Sequence, residues 1–193
     1  MIFDQKNKEI QIKLVYYGPA MSGKTTSIKY LFNYYDKNNE LKSIDNTLGR
    51  TLFFDFGVLK FEGKEWSLKL LIYSATGQDF YISTRPATLK GVDGIIFVVD
   101  SNENNMERNV RSWEELIFFF RDEIYKIPIL IAFNKSDLET DKKLKKEDFI
   151  SILKINRFED LLFQNTVAIT GEGINESFEK IMKAIFPNLN LVA

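Results

Sequence analysis

The sequence predicts an α/β fold in three layers, with a mostly parallel six-stranded sheet, one antiparallel edge strand and helices on both faces. Strand-like and helix-like segments alternate along the chain, which is typical of this class. Two short apolar runs, 94–99 and 129–133, are bounded by turn or polar residues, as buried strands are. The 193 residues suffice for one domain and are few for two, so we expect a single domain over residues 1–193.

The first half of the chain predicts a strand, a helix and a hairpin. Residues 9–17 become increasingly apolar and end at Gly18, as a strand entering a buried sheet does. In 25–35 the apolar residues recur at the three-and-four spacing of an amphipathic helix. After a polar stretch, alternate residues are apolar over 52–58 and again over 66–72, which predicts two strands joined by a turn.

The second half predicts the remaining strands and helices. The longest helix candidate, 104–125, lies between the two short apolar runs. A sixth strand is expected near 163–168. The last helix carries apolar residues on one side and ends before Pro187, which cannot continue it.

Composition excludes most catalytic classes. The chain has no Cys and no His, so it can form no disulfide, Cys/His zinc site or Ser-His-Asp triad. Phosphoryl transfer on a bound metal nucleotide needs little covalent help from the protein and is not excluded. The net charge of -1 gives no basic footprint for nucleic acid or anionic membrane. We therefore expect a cytoplasmic protein with no nucleic-acid partner and no stable membrane anchor.

A glycine-rich motif follows the first predicted strand and opens the first predicted helix. Gly18, four further residues and then Gly23-Lys24-Thr25 fit the P-loop pattern. In a P-loop NTPase, backbone N–H groups and the helix N-terminus hold a phosphate, Lys24 reaches the β- and γ-phosphates, and Thr25 ligates Mg2+. The expected nucleotide-binding residues here are Gly18, Ala20, Met21, Ser22, Gly23, Lys24, Thr25 and Thr26. The alternative is a chance glycine-rich turn.

A second motif, 134–137, directly follows an apolar strand and so lies at the same edge of the sheet. The Asp137 carboxylate can accept hydrogen bonds from the amino group and ring N–H of guanine, an edge that adenine lacks. Asn134, Lys135 and Asp137 are therefore expected to form the base pocket. Alternatively, Asn134 and Asp137 are ordinary turn residues.

These motifs resemble the Ras-like small GTPases, and within them the MglA-type GTPases of prokaryotic cell polarity. Five segments match that subgroup in order and spacing: LVYYGPAMSGKTT (14–26), RTLFFDF (50–56), GQDFY (77–81), LKGVDGIIFVVDS (89–101) and NKSDL (134–138). The resemblance implies a Ras-like G domain that binds GTP or GDP with Mg2+. It also implies that Ala168 and Ile169 form the last guanine-binding motif.

The same resemblance assigns roles to the two switch regions. Thr51 is the switch I threonine that contacts Mg2+ and the γ-phosphate. In switch II, Gly77 is a nucleotide-binding residue, and Gln78 orients the attacking water. Arg50 matches the arginine that this subgroup supplies to its active site from the same chain, as an arginine finger. Lys24 is the third expected catalytic residue. The alternative for Arg50 is a solvated loop arginine.

The chain departs from the common Ras-like pattern at two positions. Ser74 stands where most members have the Asp of an Asp-x-x-Gly motif, a carboxylate close to Mg2+. Asp55 is an expected substitute, because strand periodicity places it on the face of Thr51, whereas Asp100 is interpreted as a cap or turn residue. Ala20 replaces a glycine near the γ-phosphate, so hydrolysis is expected to be slow or to need a partner.

By the same resemblance, the partners are a roadblock-type (MglB-like) regulatory dimer and effectors that bind the GTP state through switches I and II. The process would be cell polarity, motility or intracellular organisation. Two alternatives stay open: a GTP-binding module with very low intrinsic hydrolysis, and an ATP-using P-loop kinase or ATPase. The motif at 134–137 disfavours the second.

Overall fold

The computed structural model describes residues 1–35, 41–45, 51–75 and 85–187, with the backbone alone at 41–45, 51–55 and 140. The strands are β1 (Ile2–Asp4), β2 (Glu9–Tyr17), β3 (Leu41–Asp45), β4 (Thr51–Glu62), β5 (Ser67–Ala75), β6 (Gly94–Asp100), β7 (Ile129–Asn134) and β8 (Leu161–Thr166). The helices are α1 (Lys24–Tyr34), α2 (Arg85–Leu89), α3 (Met106–Phe120), α4 (Lys146–Ile152) and α5 (Ile174–Ile185). Short 3-10 helices cover Glu103–Asn105, Arg121–Lys126, Thr140–Lys142 and Ile155–Arg157.

All the strands of the described residues form one sheet, in the order β3-β4-β5-β2-β6-β7-β8, with β1 paired to β2. The central pairs β5/β2, β2/β6, β6/β7 and β7/β8 are parallel. Strand β4 runs antiparallel to both β5 and β3, and β1 runs antiparallel to β2. The predicted α/β class with its mostly parallel sheet is confirmed.

The described sheet has eight strands where the sequence predicts six, because β1 and β3 were not predicted. Strand β1 is only three residues long, too short to show an alternation. Strand β3, LKSID, lies in the polar stretch before Arg50 and has no apolar periodicity. Polar and charged residues are common on edge strands, where they prevent pairing with other chains.

Apolar side chains cover both faces of the sheet. Alternate residues of β2 point to opposite faces, so Leu14 packs with α1 and α5 whereas Val15 packs with α3 and α4. Every residue of β6 and β7 is buried, which explains their continuous apolar sequence. Because the core fixes these strands from both sides, their carboxyl ends form a rigid platform for the loops that follow.

The helix predicted over 104–125 is shorter in the structure. Helix α3 ends at Phe120, and a 3-10 helix, Arg121–Lys126, continues the segment. Arg121 has a φ of 51°, which interrupts the right-handed helix. Among the helices of the described residues, none combines the length and apolar character needed to cross a bilayer.

Candidate functional site

The predicted nucleotide-binding motifs lie side by side at the carboxyl ends of neighbouring parallel strands. The loop 18–24 follows β2, and 135–137 follows β7. Asn134 at the end of β7 is in register with Asp100 of β6 and with Thr166 of β8. Ligands of open α/β sheets bind at this edge. Motifs more than a hundred residues apart in sequence are therefore brought to one place.

The loop after β2 has the backbone of a phosphate cradle. Gly18, Met21 and Gly23 all have positive φ, at 137°, 63° and 106°. A Cβ at Gly18 would overlap the Val98 carbonyl of β6, and a Cβ at Gly23 would overlap Asn134 Nδ2. Both positions thus require glycine for space as well as for conformation. Helix α1 begins at Lys24, so its N-terminus closes the loop.

The Lys24 ammonium lies inside the curl of this loop. Its Nζ donates to the carbonyl oxygens of Gly18 at 2.9 Å and Pro19 at 2.6 Å, and the side chain is buried. The ammonium lies beside the N-terminus of α1, where the helix dipole adds positive partial charge. An anion as highly charged as a nucleotide phosphate fits this combination of a cation and a helix N-terminus.

Asn134 connects the phosphate loop to the loop after β8. Its Nδ2 donates to the Ser22 carbonyl oxygen at 2.7 Å, and its Oδ1 accepts from the Ala168 backbone N–H at 2.9 Å and from Thr166 Oγ1 at 3.3 Å. The side chain is 2% exposed. The sequence indicates Asn134 only as a base-pocket residue, whereas the structure makes it a buried bridge between three loops.

Lys135 and Asp100 form an ion pair that links the ends of β7 and β6. The two atoms, Lys135 Nζ and Asp100 Oδ2, are 2.6 Å apart. Asp100 is buried, and its Oδ1 also accepts from the Asn102 N–H at 3.0 Å, so it serves the turn after β6, in keeping with its interpretation as a turn residue. Asp137 is exposed at the rim of the site, accessible to a ligand.

The two residues predicted to form the last guanine-binding motif, Ala168 and Ile169, lie in the loop after β8 and differ in exposure. Ala168 is 5% exposed and is held by Asn134, whereas the Ile169 side chain is 87% exposed. Thr25 is partly buried in the first turn of α1, and Thr26 beside it is exposed. The Ala168 N–H is thus already hydrogen-bonded, whereas the Ile169 side chain is accessible to a ligand.

The predicted magnesium residues are only partly described. Thr51 begins β4, and Asp55 is in register with Ser74 of β5. Ser74 is fully buried, and its Oγ has no hydrogen-bond partner among the described residues. An unsatisfied buried hydroxyl beside the Asp55 position fits a site completed by a hydrated cation. Within the described residues no three His, Cys, Asp or Glu side chains form a metal cluster.

Three predicted catalytic or binding residues lie outside the described residues. They are Arg50, Gly77 and Gln78. For Thr51 and Asp55 the strand position is described. The roles of all five residues stay predictions.

A buried charged cluster, which the sequence did not indicate, underlies the phosphate loop. Arg85, the first residue of α2, pairs with Glu115 of α3, and its guanidinium carbon lies 6.0 Å from the centre of the Tyr17 ring. Tyr17 directly precedes Gly18. Burial raises the pKa of Tyr17, and the Glu115 carboxylate raises it further. The phenol therefore stays neutral while the ion pair joins α2 to α3.

Replacing Arg85 with alanine is expected to lower the free energy of unfolding by about 3 kcal/mol, since it leaves the Glu115 carboxylate, which is largely buried, without its ion-pair partner. Urea unfolding measures this. The double variant Arg85→Met, Glu115→Leu is expected to recover most of the loss, because it removes both charges. A single variant as stable as the parent would contradict the assigned pairing.

Comparisons with known proteins agree with this geometry. The model of the Ras family matches residues 13–187. The chain is 34% identical over 189 residues to mutual gliding-motility protein MglA of Myxococcus xanthus, covering 95% of this chain and 94% of that protein. It is 26% identical to Ras-related protein Rab-13 of Canis lupus familiaris, over 74% of this chain and 68% of that protein. Ras-related protein RABA5c of Arabidopsis thaliana is 24% identical, over 97% and 81%.

Proposed function

The chain belongs to the Ras family of small GTPases, and from this premise we propose that it hydrolyses GTP with residues of its own chain, Gln78 and Arg50. As a member of that family it is a GTP hydrolase and a guanine-nucleotide-binding switch. The observation that best supports the proposal is the Asn134 bridge, which ties the phosphate loop to both base-binding segments. We infer that residues 1–193 form one such domain.

In this proposal the phosphate loop binds the nucleotide through its backbone. The N–H groups of 20–26 and the Lys24 ammonium hold the phosphates, supported by the positive φ angles and by the helix N-terminus. Asp137 accepts from the guanine amino group and ring N–H. Ala168 and Ile169 are proposed to meet the guanine carbonyl oxygen through a backbone N–H. The Ala168 N–H donates to Asn134 Oδ1, so guanine would share or replace that hydrogen bond. Lys135 supports the pocket through Asp100.

Thr25, Thr51 and Asp55 are the residues that would hold Mg2+. When bound, the ion neutralises the charge that the β- and γ-phosphates share. The register of Asp55 with Ser74 supports a role for Asp55, because cross-strand partners share a face of the sheet. Ser74 cannot supply the missing carboxylate, so Asp55 is proposed in its place.

Hydrolysis then depends on positioning and on charge. Gln78 orients the attacking water, and Arg50 stabilises the negative charge that spreads over the transferred phosphoryl group. The methyl group of Ala20 lies in the phosphate loop and narrows the space beside the γ-phosphate. This crowding favours a second candidate function, a switch that has very low intrinsic hydrolysis and requires an activating partner.

The proposed biological role is regulation of cell polarity, motility or intracellular organisation. Support comes from the 34% identity to a protein named for gliding motility. The proposed partners are a roadblock-type dimer that stimulates hydrolysis or exchange, and effectors that recognise switches I and II in the GTP state. The proposed location is the cytoplasm.

The test begins with the nucleotide that copurifies with the protein. Denaturation and chromatography are expected to release GDP or GTP, and an adenine nucleotide would refute the proposal. The protein is then loaded with GTP and Mg2+, and phosphate release is followed in a single turnover. Parallel measurements with added roadblock-type dimer distinguish the intrinsically active switch from the partner-dependent one.

Arg50→Ala is expected to slow this single turnover by about 30-fold, the difference between GTPases with and without an arginine in cis. Gln78→Leu is expected to slow it by about tenfold, because the attacking water loses its orienting group. Neither variant is expected to change GDP affinity. Arg157→Ala, which removes an exposed arginine elsewhere, serves as the control. An Arg50→Ala variant as fast as the parent would show that the finger is not supplied in cis.

A further inference from the structure

Arg108 of α3 reaches the phosphate loop. Its Nη2 donates to the Ala20 carbonyl oxygen at 3.3 Å, and its Nη1 donates to Asn105 Oδ1 at 3.4 Å. Arg108 lies in the first turn of α3, whose apolar side packs on the sheet, and its side chain is exposed. The guanidinium thus approaches the phosphate loop from outside, across 88 positions of sequence.

The contacted carbonyl belongs to the peptide unit that joins Ala20 to Met21. A trans peptide is planar, so its C=O and N–H point in opposite directions. The described residues contain no cis peptide. When Arg108 holds the Ala20 carbonyl, the Met21 N–H therefore points the other way, away from Arg108.

Met21 itself gives an independent reason for such a restraint. Its φ of 63° is in the left-handed region, which residues with a Cβ rarely adopt. Its side chain is 64% exposed, so side-chain packing contributes little to holding this conformation. A hydrogen bond to the adjoining peptide, donated by a charged group, is the kind of contact that keeps it in place.

We propose that Arg108 is a positioning residue for GTP hydrolysis, which holds the Ala20–Met21 peptide so that the Met21 N–H faces the phosphates. The inference rests on the proposed function. In hydrolysis the γ-phosphorus gains a bond to the water oxygen and loses its bond to the bridging oxygen. That oxygen keeps the electron pair and leaves with GDP, while the water proton ends on the released phosphate. An N–H donor fixed toward the phosphates stabilises the increasing negative charge.

The test compares Arg108→Met, which keeps the length of the side chain without its charge, with Arg108→Lys, which keeps a cationic donor. Arg157→Met is the matched control. Arg157 pairs with Asp122 and packs on Tyr125, beyond the far end of α3, about 20 Å from Arg108 along a helix of this length. Each protein is loaded with GDP or with GTP and Mg2+.

Arg108→Met is expected to lower the single-turnover rate about tenfold. This effect is smaller than that of removing an entire hydrogen-bond donor to the transition state, because the Met21 N–H is still present. GDP affinity is expected to change by less than about threefold, since the other loop N–H groups still bind. The Met21 amide proton in the GDP complex, observed by nitrogen-15 correlated NMR, is expected to shift upfield as its hydrogen bond weakens. Arg108→Lys is expected to restore the shift and most of the rate.

The NMR readout keeps the inference testable at any rate of hydrolysis. An Arg108→Met protein with the parent's Met21 amide shift would overturn the proposal, as would an equal loss in Arg157→Met. If the parent binds no guanine nucleotide, the proposed function fails instead. The two failures are thus separate observations on the same set of samples.

Discussion

Gly23→Ala is expected to weaken guanine-nucleotide binding by about 10³-fold. The new methyl group would overlap Asn134 Nδ2, so the Asn134 side chain must move. That movement disrupts buried hydrogen bonds to Ser22 and Ala168 and leaves donors unsatisfied, at a combined cost of about 4 kcal/mol. Each 1.4 kcal/mol corresponds to about a tenfold change in affinity. Competition titration with a fluorescent GDP analogue measures the loss.

Gly91→Ala provides a matched control for this variant. Gly91 has a φ of 70°, also left-handed, but a Cβ there meets nothing within 4 Å. The control therefore carries the backbone strain of the substitution, about 1 kcal/mol, without the steric overlap. It is expected to lower stability slightly and to bind GDP as the parent does. Equal nucleotide loss in both variants would show that strain, and not the Asn134 bridge, controls the site.

The sequence predicts the elements that carry a local signal. Strands β6 and β7 are continuous apolar runs because both faces of the sheet are covered, and the P-loop pattern places glycine where the backbone has positive φ or no space for a Cβ. Strand β3 carries no such signal, because its sequence, LKSID, does not alternate between apolar and polar residues, and its backbone pairs with β4 at the edge of the sheet.

Contacts between distant segments could not be predicted in the same way. The Arg85–Glu115 pair and the Arg108 contact with Ala20 join segments 30 and 88 positions apart. A single charged residue on a helix gives no periodic signal, and solvated charges are the usual interpretation. The bridging role of Asn134 could not be predicted either, because its partners Ser22 and Ala168 lie in two loops that are distant from it in sequence. Only the assembled sheet edge reveals these restraints.

Asp137→Asn is expected to reverse the choice of base. Guanine offers two donors, its amino group and ring N–H, and a carboxylate accepts both. An asparagine amide has one acceptor and one donor group, so its NH2 meets the guanine amino group donor to donor. Sites that lose such a paired contact discriminate by about 10⁴-fold, and GTP affinity is expected to fall by that order. Asp137 is exposed at the rim, so the change should not disturb folding.

Xanthine nucleotides supply the complementary test. Xanthine has a carbonyl oxygen where guanine has the amino group and keeps its ring N–H, so an asparagine at this position can donate to one and accept from the other. The variant is expected to bind xanthosine diphosphate more tightly than GDP. Asp141→Asn, which removes an exposed negative charge from the next 3-10 helix, is expected to bind GDP as the parent does. If Asp137→Asn keeps full GDP affinity, the carboxylate does not contact the base, and guanine selection must come from the backbone N–H groups around Ala168.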